Sequence, residues 1–230
     1  MENTSIQDIL IRSRSTILDL LHQRGYDTTP YRKLVASDLV RLLNTPEALR
    51  MELTARQDLP AMEGKKAVVE YEFGNIKQSV GSGDYVKRIL SDTEEKKRGP
   101  APLTGVDSAT TEIIILYLTK KFEEELDSYD KGAYEAWDKY KLKIQFFPMF
   151  RLVNNPLNHV LQPRFEIVPT EEHPTLLKEW CCRSKTQFPI IKYHNDMAAR
   201  CLGLLPMDIV KITSYSPTAG EYVKYRVCAP

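Results

Sequence analysis

The feature that most constrains this 230-residue chain is a break in its rhythm at Asn154-Asn155-Pro156. An Asn-Asn-Pro cluster interrupts a regular element. Before it lies the apolar, aromatic stretch from Ile144 to Phe150. Beyond it, short apolar runs and turn signals alternate more densely. A chain of this length holds one large or two modest domains. The break therefore predicts two, residues 1–155 and 156–230, each of mixed α/β (α+β) character.

Helical signals open the first part. Thr4 and Gln7 have capping-box spacing, and Ile6, Ile9, Leu10, Ile17, Leu20 and Leu21 recur at helical spacing. Gly25 predicts the stop, because glycine best adopts the left-handed cap. A second helix is expected after Ser37, through Leu39, Val40, Leu42 and Leu43. Thr45-Pro46-Glu47 predicts an N-cap, first position and first-turn acid for a third, through Ala48, Leu49 and Leu53. Strands are expected at Val68–Phe73, with Val69, Tyr71 and Phe73 on one face and Glu70 and Glu72 on the other. Another is the denser β-branched run Ile113–Leu118. The polar stretch Ser91–Thr110 between them predicts an exposed loop. Phe122–Lys141 has helical propensity, interrupted near Gly132.

The second part begins with a strand, Phe165–Val168. A helix is expected over Pro174–Cys182, with Leu176, Leu177 and Trp180 buried. Pro189-Ile190-Ile191 is extended. Asp196 caps a short helix, Met197–Leu202, which Gly203 closes. Strands Ile209–Ile212 and Tyr222–Val227 flank the turn Ser216-Pro217-Thr218-Ala219-Gly220.

Composition excludes several classes. With 42% hydrophobic and 27% charged residues the chain is an ordinary globular protein. Its net charge of +1 is far from the strongly basic balance of a free-standing DNA-binding domain. Met1-Glu2-Asn3-Thr4-Ser5 lacks the basic start of a signal peptide, and Ile113-Ile114-Ile115-Leu116 is strand-sized rather than membrane-spanning. The expectation is a soluble, intracellular protein with no membrane partner. Cys181, Cys182, Cys201 and Cys228 include no C-x-x-C pair, and His22, His159, His173 and His194 lie at no metal-ligand spacing. Gly81-Ser82-Gly83 lacks a phosphate-binding pattern. No metal, cofactor or catalytic residue is expected. A magnesium-dependent nuclease built on Asp84 and Glu94-Glu95-Lys96 is the enzymatic alternative, against which Glu94–Arg98 reads as a solvated charge run. Lys120-Lys121, after a strand, suits phosphate contact or a solvated helix start balanced by Glu123, Glu124 and Glu125.

The last seventy or so residues carry an ordered set of motifs. His159-Val160-Leu161-Gln162-Pro163 is similar to H-x-L-x-P, and Gln187-Phe188-Pro189-Ile190-Ile191 to Q-x-P-x-I. Ala199-Arg200-Cys201-Leu202-Gly203-Leu204 is similar to A-R-Y-L-G-L, and Asp208–Ile212 to D-V-V-K-I. Ser216–Cys228 is similar to S-x-T-A-G-x-Y-x-x-Y-R-x-C almost position for position. In this order the motifs resemble one family closely: the small shared subunit of eukaryotic nuclear DNA-dependent RNA polymerases, together with its shorter archaeal counterpart. Arg24-Gly25-Tyr26 resembles the R-G-Y of the longer eukaryotic type.

The resemblance implies a non-catalytic polymerase subunit. Residues 1–155 would be a jaw domain whose fold is similar to restriction nucleases without their active site. Residues 156–230 would be a mixed-sheet assembly domain docking on the largest polymerase subunit and neighbouring small subunits. The docking residues so implied are His159, Pro163, Pro189, Arg200, Gly203, Thr218, Gly220, Tyr222, Tyr225 and Arg226. Tyr and Arg are enriched at interface hot spots, with intradomain packing as the other reading. Lys120 and Lys121 are the candidate contact, a weak one, to downstream DNA. Polymerisation and its magnesium would belong to the two large subunits, and no homo-oligomer is implied. Departures stand at Leu205-Pro206-Met207 (usually K-R-G), Asp196-Met197 (D-P) and Thr119-Lys120 (T-P). They are expected of an unusual lineage, including a large DNA virus with its own polymerase. Localisation is then nuclear for a cellular chain, and host cytoplasm, nucleus or virion for a viral one. A free adaptor for transcription factors is a further alternative.

The absent metal-ligand pattern predicts that the purified chain, with magnesium or manganese, neither cuts nor polymerises nucleic acid. Cleavage that vanished in a Glu95→Ala or Lys96→Ala variant would contradict this.

Overall fold

The computed structural model describes residues 5–90, 107–119, 126–218 and 220–230. The chain forms two compact units that divide between Asn154 and Asn155. Glu94, Glu95 and Lys96 of the nuclease alternative and the lysine pair Lys120-Lys121 lie outside the described residues, as do Thr4 and most of the loop predicted over Ser91–Thr110.

In the N-terminal unit, helix α1 (Ile6–Gln23) is capped by Ser5, whose hydroxyl accepts the Asp8 amide at 3.2 Å. The cap is Ser5 rather than Thr4. Gly25 follows the helix at φ +98°, and a Cβ there would stand 2.9 Å from Leu59 Cδ1. Helix α2 (Ala36–Arg41) passes into 3-10 turns at Leu42–Asn44 and Pro46–Leu49. The helix expected to run through Leu53 ends there. Met51–Thr54 form strand β1 instead, with Met51 and Leu53 buried and Glu52 and Thr54 exposed. Then come β2 (Lys66–Glu72), α3 (Lys77–Gly81), α4 (Asp84–Leu90), β3 (Thr111–Tyr117), α5 (Leu126–Tyr140) and β4 (Lys143–Pro148).

The sheet order is β1-β2-β3-β4, with β1 antiparallel to β2 and the other pairs parallel. Parallel strands are covered on both faces, and β3 is buried throughout. On one face Tyr117 stacks on Tyr129 of α5 at 4.2 Å, and Phe146 meets Tyr85 of α4. On the other, the buried Arg14 of α1 donates to Tyr71 Oη and to the Leu49 carbonyl. Helix α5 is continuous through Gly132, where an interruption was expected. A Cβ at Gly132 would lie 2.5 Å from Val80 Cγ1 of α3, so this glycine permits close helix approach rather than breaking the helix.

Two buried carboxylates mark opposite faces of this sheet. Glu112 is ion-paired to Arg24 and, at 3.2 Å, to Lys143, and accepts from Tyr26 Oη at 3.1 Å. Burial alone would raise its pKa, but Arg24 and Lys143 hold it below the ordinary glutamate range. Glu70 differs. It was expected on a strand face apart from the apolar one, yet α4 and α5 cover that face and bury it. Its nearest cation, Arg50, is 3.6 Å away and is shared with Glu52 at 2.8 Å. Burial therefore pushes the Glu70 carboxyl up to about 7, against the pull of Arg50.

The C-terminal unit contains β5 (Arg164–Ile167), α6 (His173–Glu179), β6 (Ile190–Lys192), α7 (Met197–Leu202), β7 (Ile209–Ser216) and β8 (Gly220–Ala229). Its sheet order is β5-β7-β8-β6. Strands β5 and β8 run antiparallel to β7, and β6 runs parallel to β8. One face packs Ile209 and Val227 against Val168, Leu176 and Phe188. On the opposite face Val210, Ile212, Ile191 and Cys228 are buried. Helix α6 stops at Glu179, short of the expected Cys182, because Cys181 takes a left-handed conformation at φ +53°. Trp180 is consequently at the helix end and 50% exposed rather than on a buried side.

The Glu70 carboxyl binds its proton more tightly folded (about 7) than at its ordinary value of 4.5. Stability is therefore lost as pH rises between those values, and the full cost remains above them. Glu70→Gln should stabilise the N-terminal unit at pH 8 by on the order of 2 kcal/mol, with little gain at pH 5. Thermal melts across that range check this, and parallel curves for the two proteins would contradict it.

Candidate functional site

The C-terminal unit gathers most of the residues singled out from the sequence, and its local structure follows from particular side chains. Asp196 caps α7, its Oδ1 accepting the Ala198 and Ala199 amides at 2.8 and 3.3 Å. Gly203 ends the helix at φ +72°, ψ +34°. Between these caps Arg200 is completely buried. It therefore supports the fold, and as folded it cannot meet a partner directly, contrary to its expected docking role. Gly203 is a helix terminator and buried as well.

The β7–β8 hairpin pairs Ser216 with Gly220, which takes φ +66°. Ser216 Oγ accepts the Thr218 amide at 3.4 Å, leaving Thr218 exposed at the tip. Along β8, residues alternate between faces. Tyr225 shares the face of Val227, and its ring meets Trp180 at 5.5 Å and Phe188 at 6.2 Å. Intradomain packing thus claims much of Tyr225. Tyr222 is 41% exposed, with the Lys224 ammonium 5.6 Å from its ring centre. Arg226 reaches across to β6, where Nη1 donates to the Ile190 carbonyl at 2.9 Å. The Pro189 carbonyl accepts the Val227 amide at 2.9 Å, and the Pro189 ring is exposed.

His159 and Pro163 lead into β5, at the far edge of the sheet from β6. Three strand spacings separate those edges, roughly 14 Å. The expected docking residues therefore form no single pocket. They divide into a β6–β8 group (Pro189, Arg226), a hairpin end (Thr218, Gly220, Tyr222) and a β5 approach (His159, Pro163), with Arg200 and Gly203 inside and Tyr225 packed on Trp180 and Phe188.

Exposed apolar groups beside these were not anticipated: Trp180 and Ile190 near the β6–β8 group, and Val160 and Leu161 between His159 and Pro163. Exposure at a strand edge or turn tip depends on what the rest of the chain covers, which local pattern does not report.

Among the described residues no three His, Cys, Asp or Glu side chains cluster to hold a metal ion. No disulfide links the four cysteines, and burial pushes the Cys228 thiol up to about 12, so it stays protonated. Among the described residues no helix is long and apolar enough to cross a membrane. In the N-terminal unit an open hollow of about 420 Å³ is lined by Arg56, Glu63, Lys65 and Lys66 among others, but Arg56 is already ion-paired to Asp58.

Comparison with known proteins points to the same unit. The family model "RNA polymerase Rpb5, C-terminal domain" matches residues 154–228. The DNA-directed RNA polymerase subunit Rpo5 of Nitrosopumilus maritimus is 42% identical over 69 residues, 30% of this chain and 81% of that protein. Subunit rpabc1 of DNA-directed RNA polymerases I, II and III from Dictyostelium discoideum is 35% identical over 88 residues, 38% of this chain and 44% of that protein. The DNA-directed RNA polymerase V subunit 5C of Arabidopsis thaliana is 32% identical over 94 residues, 41% of this chain and 40% of that protein. The match to these two eukaryotic relatives thus spans less than half of their length.

Tyr225→Ala empties the space between Trp180 and Phe188 and should destabilise the C-terminal unit by about 2 kcal/mol or more. Tyr222→Ala should change stability by less than about 0.5 kcal/mol. Urea melts in a Trp137→Phe background, where Trp180 alone emits, distinguish them, and equal losses would contradict the packing assignment.

Proposed function

Because the chain belongs to the Rpb5/Rpo5 family of DNA-directed RNA polymerase subunits, we propose that it is a non-catalytic structural subunit of such an enzyme, docked through residues 155–230. The observation that carries this is one of extent. The family match over residues 154–228 covers nearly the whole compact unit from Asn155 to Pro230. What is shared with the relatives is thus a folded module rather than a scattered motif.

The partner is the largest polymerase subunit, with neighbouring small subunits beside it. Docking uses the surface that β5, β6 and β8 present, with Arg226 and Pro189 at one edge, Tyr222 toward the hairpin end, and His159 and Pro163 at the other edge. Arg200, Gly203, Gly220 and Tyr225 keep that surface in shape. The N-terminal unit serves as the jaw beside downstream DNA, its α/β/α layering in keeping with a restriction-nuclease-like fold that does no cleavage. Its contact to DNA through Lys120 and Lys121 is weak. Two lysines neutralise about two phosphates, against the roughly six to ten contacts of a strong binder. Polymerisation belongs to the large subunits, and in a cellular setting the chain works in the nucleus.

A tagged pull-down tests this. The large polymerase subunits should be recovered with the whole chain and with residues from 156 onward. Tyr222→Ala or Arg226→Ala should reduce recovery more than Lys120→Ala with Lys121→Ala, since a buried anchor is worth on the order of 2 kcal/mol. Thermal melts separate lost docking from lost folding, as Arg226 also secures β6. Folded tail variants that assemble like wild type, while the lysine variant drops out, would reverse the assignment.

A further inference from the structure

The approach to β5 carries two large aliphatic side chains that the fold does not use. Val160 is 96% exposed and Leu161 85%. They stand at the tip of a turn closed by the Gln162 amide, which donates to the His159 carbonyl at 2.8 Å. Such tips favour Gly, Pro, Asn, Asp or Ser, each for a conformational reason. A single exposed aliphatic residue is ordinary. An adjacent pair, both almost wholly in water and both on a braced turn, is not accounted for by the packing of this chain.

The brace is specific. His159 Nδ1 accepts the Leu161 amide at 3.2 Å. This is the contact, from a side chain to the amide two residues on, by which an Asn or Asp side chain forms an Asx turn. Backbone and side chain of His159 therefore fix both tip residues before any partner arrives. Holding a contact in its bound conformation removes an ordering cost from association. Downstream, Pro163 restricts the chain, and β5 is anchored to β7 from Arg164.

We infer that Val160 and Leu161 form a preorganised apolar anchor that inserts into an apolar pocket of the largest polymerase subunit, with His159 as its positioning residue. This rests on the polymerase-subunit reading above. The area argues for that partner over a second copy of the chain. Two side chains cover a small part of the roughly 800 Å² per partner that a stable interface needs. They work as an anchor only within a wider docking surface, and the wider surface proposed for this unit faces the polymerase. The uncharged tip suits an apolar pocket, whereas the β6–β8 edge presents Lys192 and Arg226 to polar partners.

The test compares full-length tagged variants by the fraction co-eluting with the large polymerase subunits at equal expression. Val160→Ser with Leu161→Ser should melt like wild type, because neither side chain is buried in the free chain, yet co-elute at least tenfold less. His159→Ala should also reduce assembly, and His159→Asn, which can accept the same amide, should restore it. A role for His159 in folding alone would not give that rescue alongside an unchanged melt. Wild-type assembly matched by the double serine variant overturns the anchor and leaves the polymerase reading standing. Failure of the wild type itself to co-elute overturns both. A free wild-type dimer that the serine variant dissociates overturns the anchor by showing that a second copy is the occupant.

Discussion

The C-terminal unit depends on the pairing of β8 along both its edges. It runs antiparallel to β7 from Gly220 to Val227 and parallel to β6 from Val227 to Ala229. A three-residue strand such as β6 has too few backbone bonds to persist alone. It is held by β8, by the Pro189 carbonyl that accepts the Val227 amide, and by the Arg226 guanidinium on the Ile190 carbonyl. The same strand supplies Val227 and Tyr225 to one core and Cys228 to the opposite face. Residues that would meet a partner and residues that hold the fold therefore alternate along one strand. That is why Tyr222 and Tyr225, three positions apart, have different work to do.

The N-terminal unit meets a different constraint, that of placing charge inside a sheet covered on both faces. Glu112 is resolved by two cations and a phenol drawn from α1's exit and from β4, so its burial ties three elements together. Glu70 has one shared arginine and is left with a raised pKa. Removing one partner from a buried pair is costly because the remaining charge is stranded. The Glu112 cluster is thus structural.

Much of the C-terminal unit was legible because local and tertiary signals agree there. Asp196 and Gly203 bracket α7 by capping chemistry alone, and the alternation along Tyr222–Val227 sets the faces of β8. The family resemblance rested on the same residues. Where reading failed, a neighbour distant in sequence had decided the outcome. Pro46 and Glu47 predicted a helix through Leu53, but the chain turns extended at Arg50 and Met51–Thr54 pair with β2. Gly132 looked like a helix breaker because Val80, which needs its missing Cβ, is fifty-two positions away. Arg200 sat in a family motif and looked available, yet it is wholly buried. The exposure of Val160 and Leu161 left no local trace, since aliphatic residues are ordinarily read as core.

The central claim is that residues 155–230 dock the chain on the polymerase while the N-terminal unit makes only a weak contact to DNA. Hydrogen exchange of the full chain, free and within the assembled polymerase, addresses it directly. The claim predicts new protection at the 159–167 approach, at 189–192 and along 220–226, with smaller changes in the N-terminal unit. Protection confined to residues 1–154, with the C-terminal unit exchanging as it does in the free chain, would contradict it.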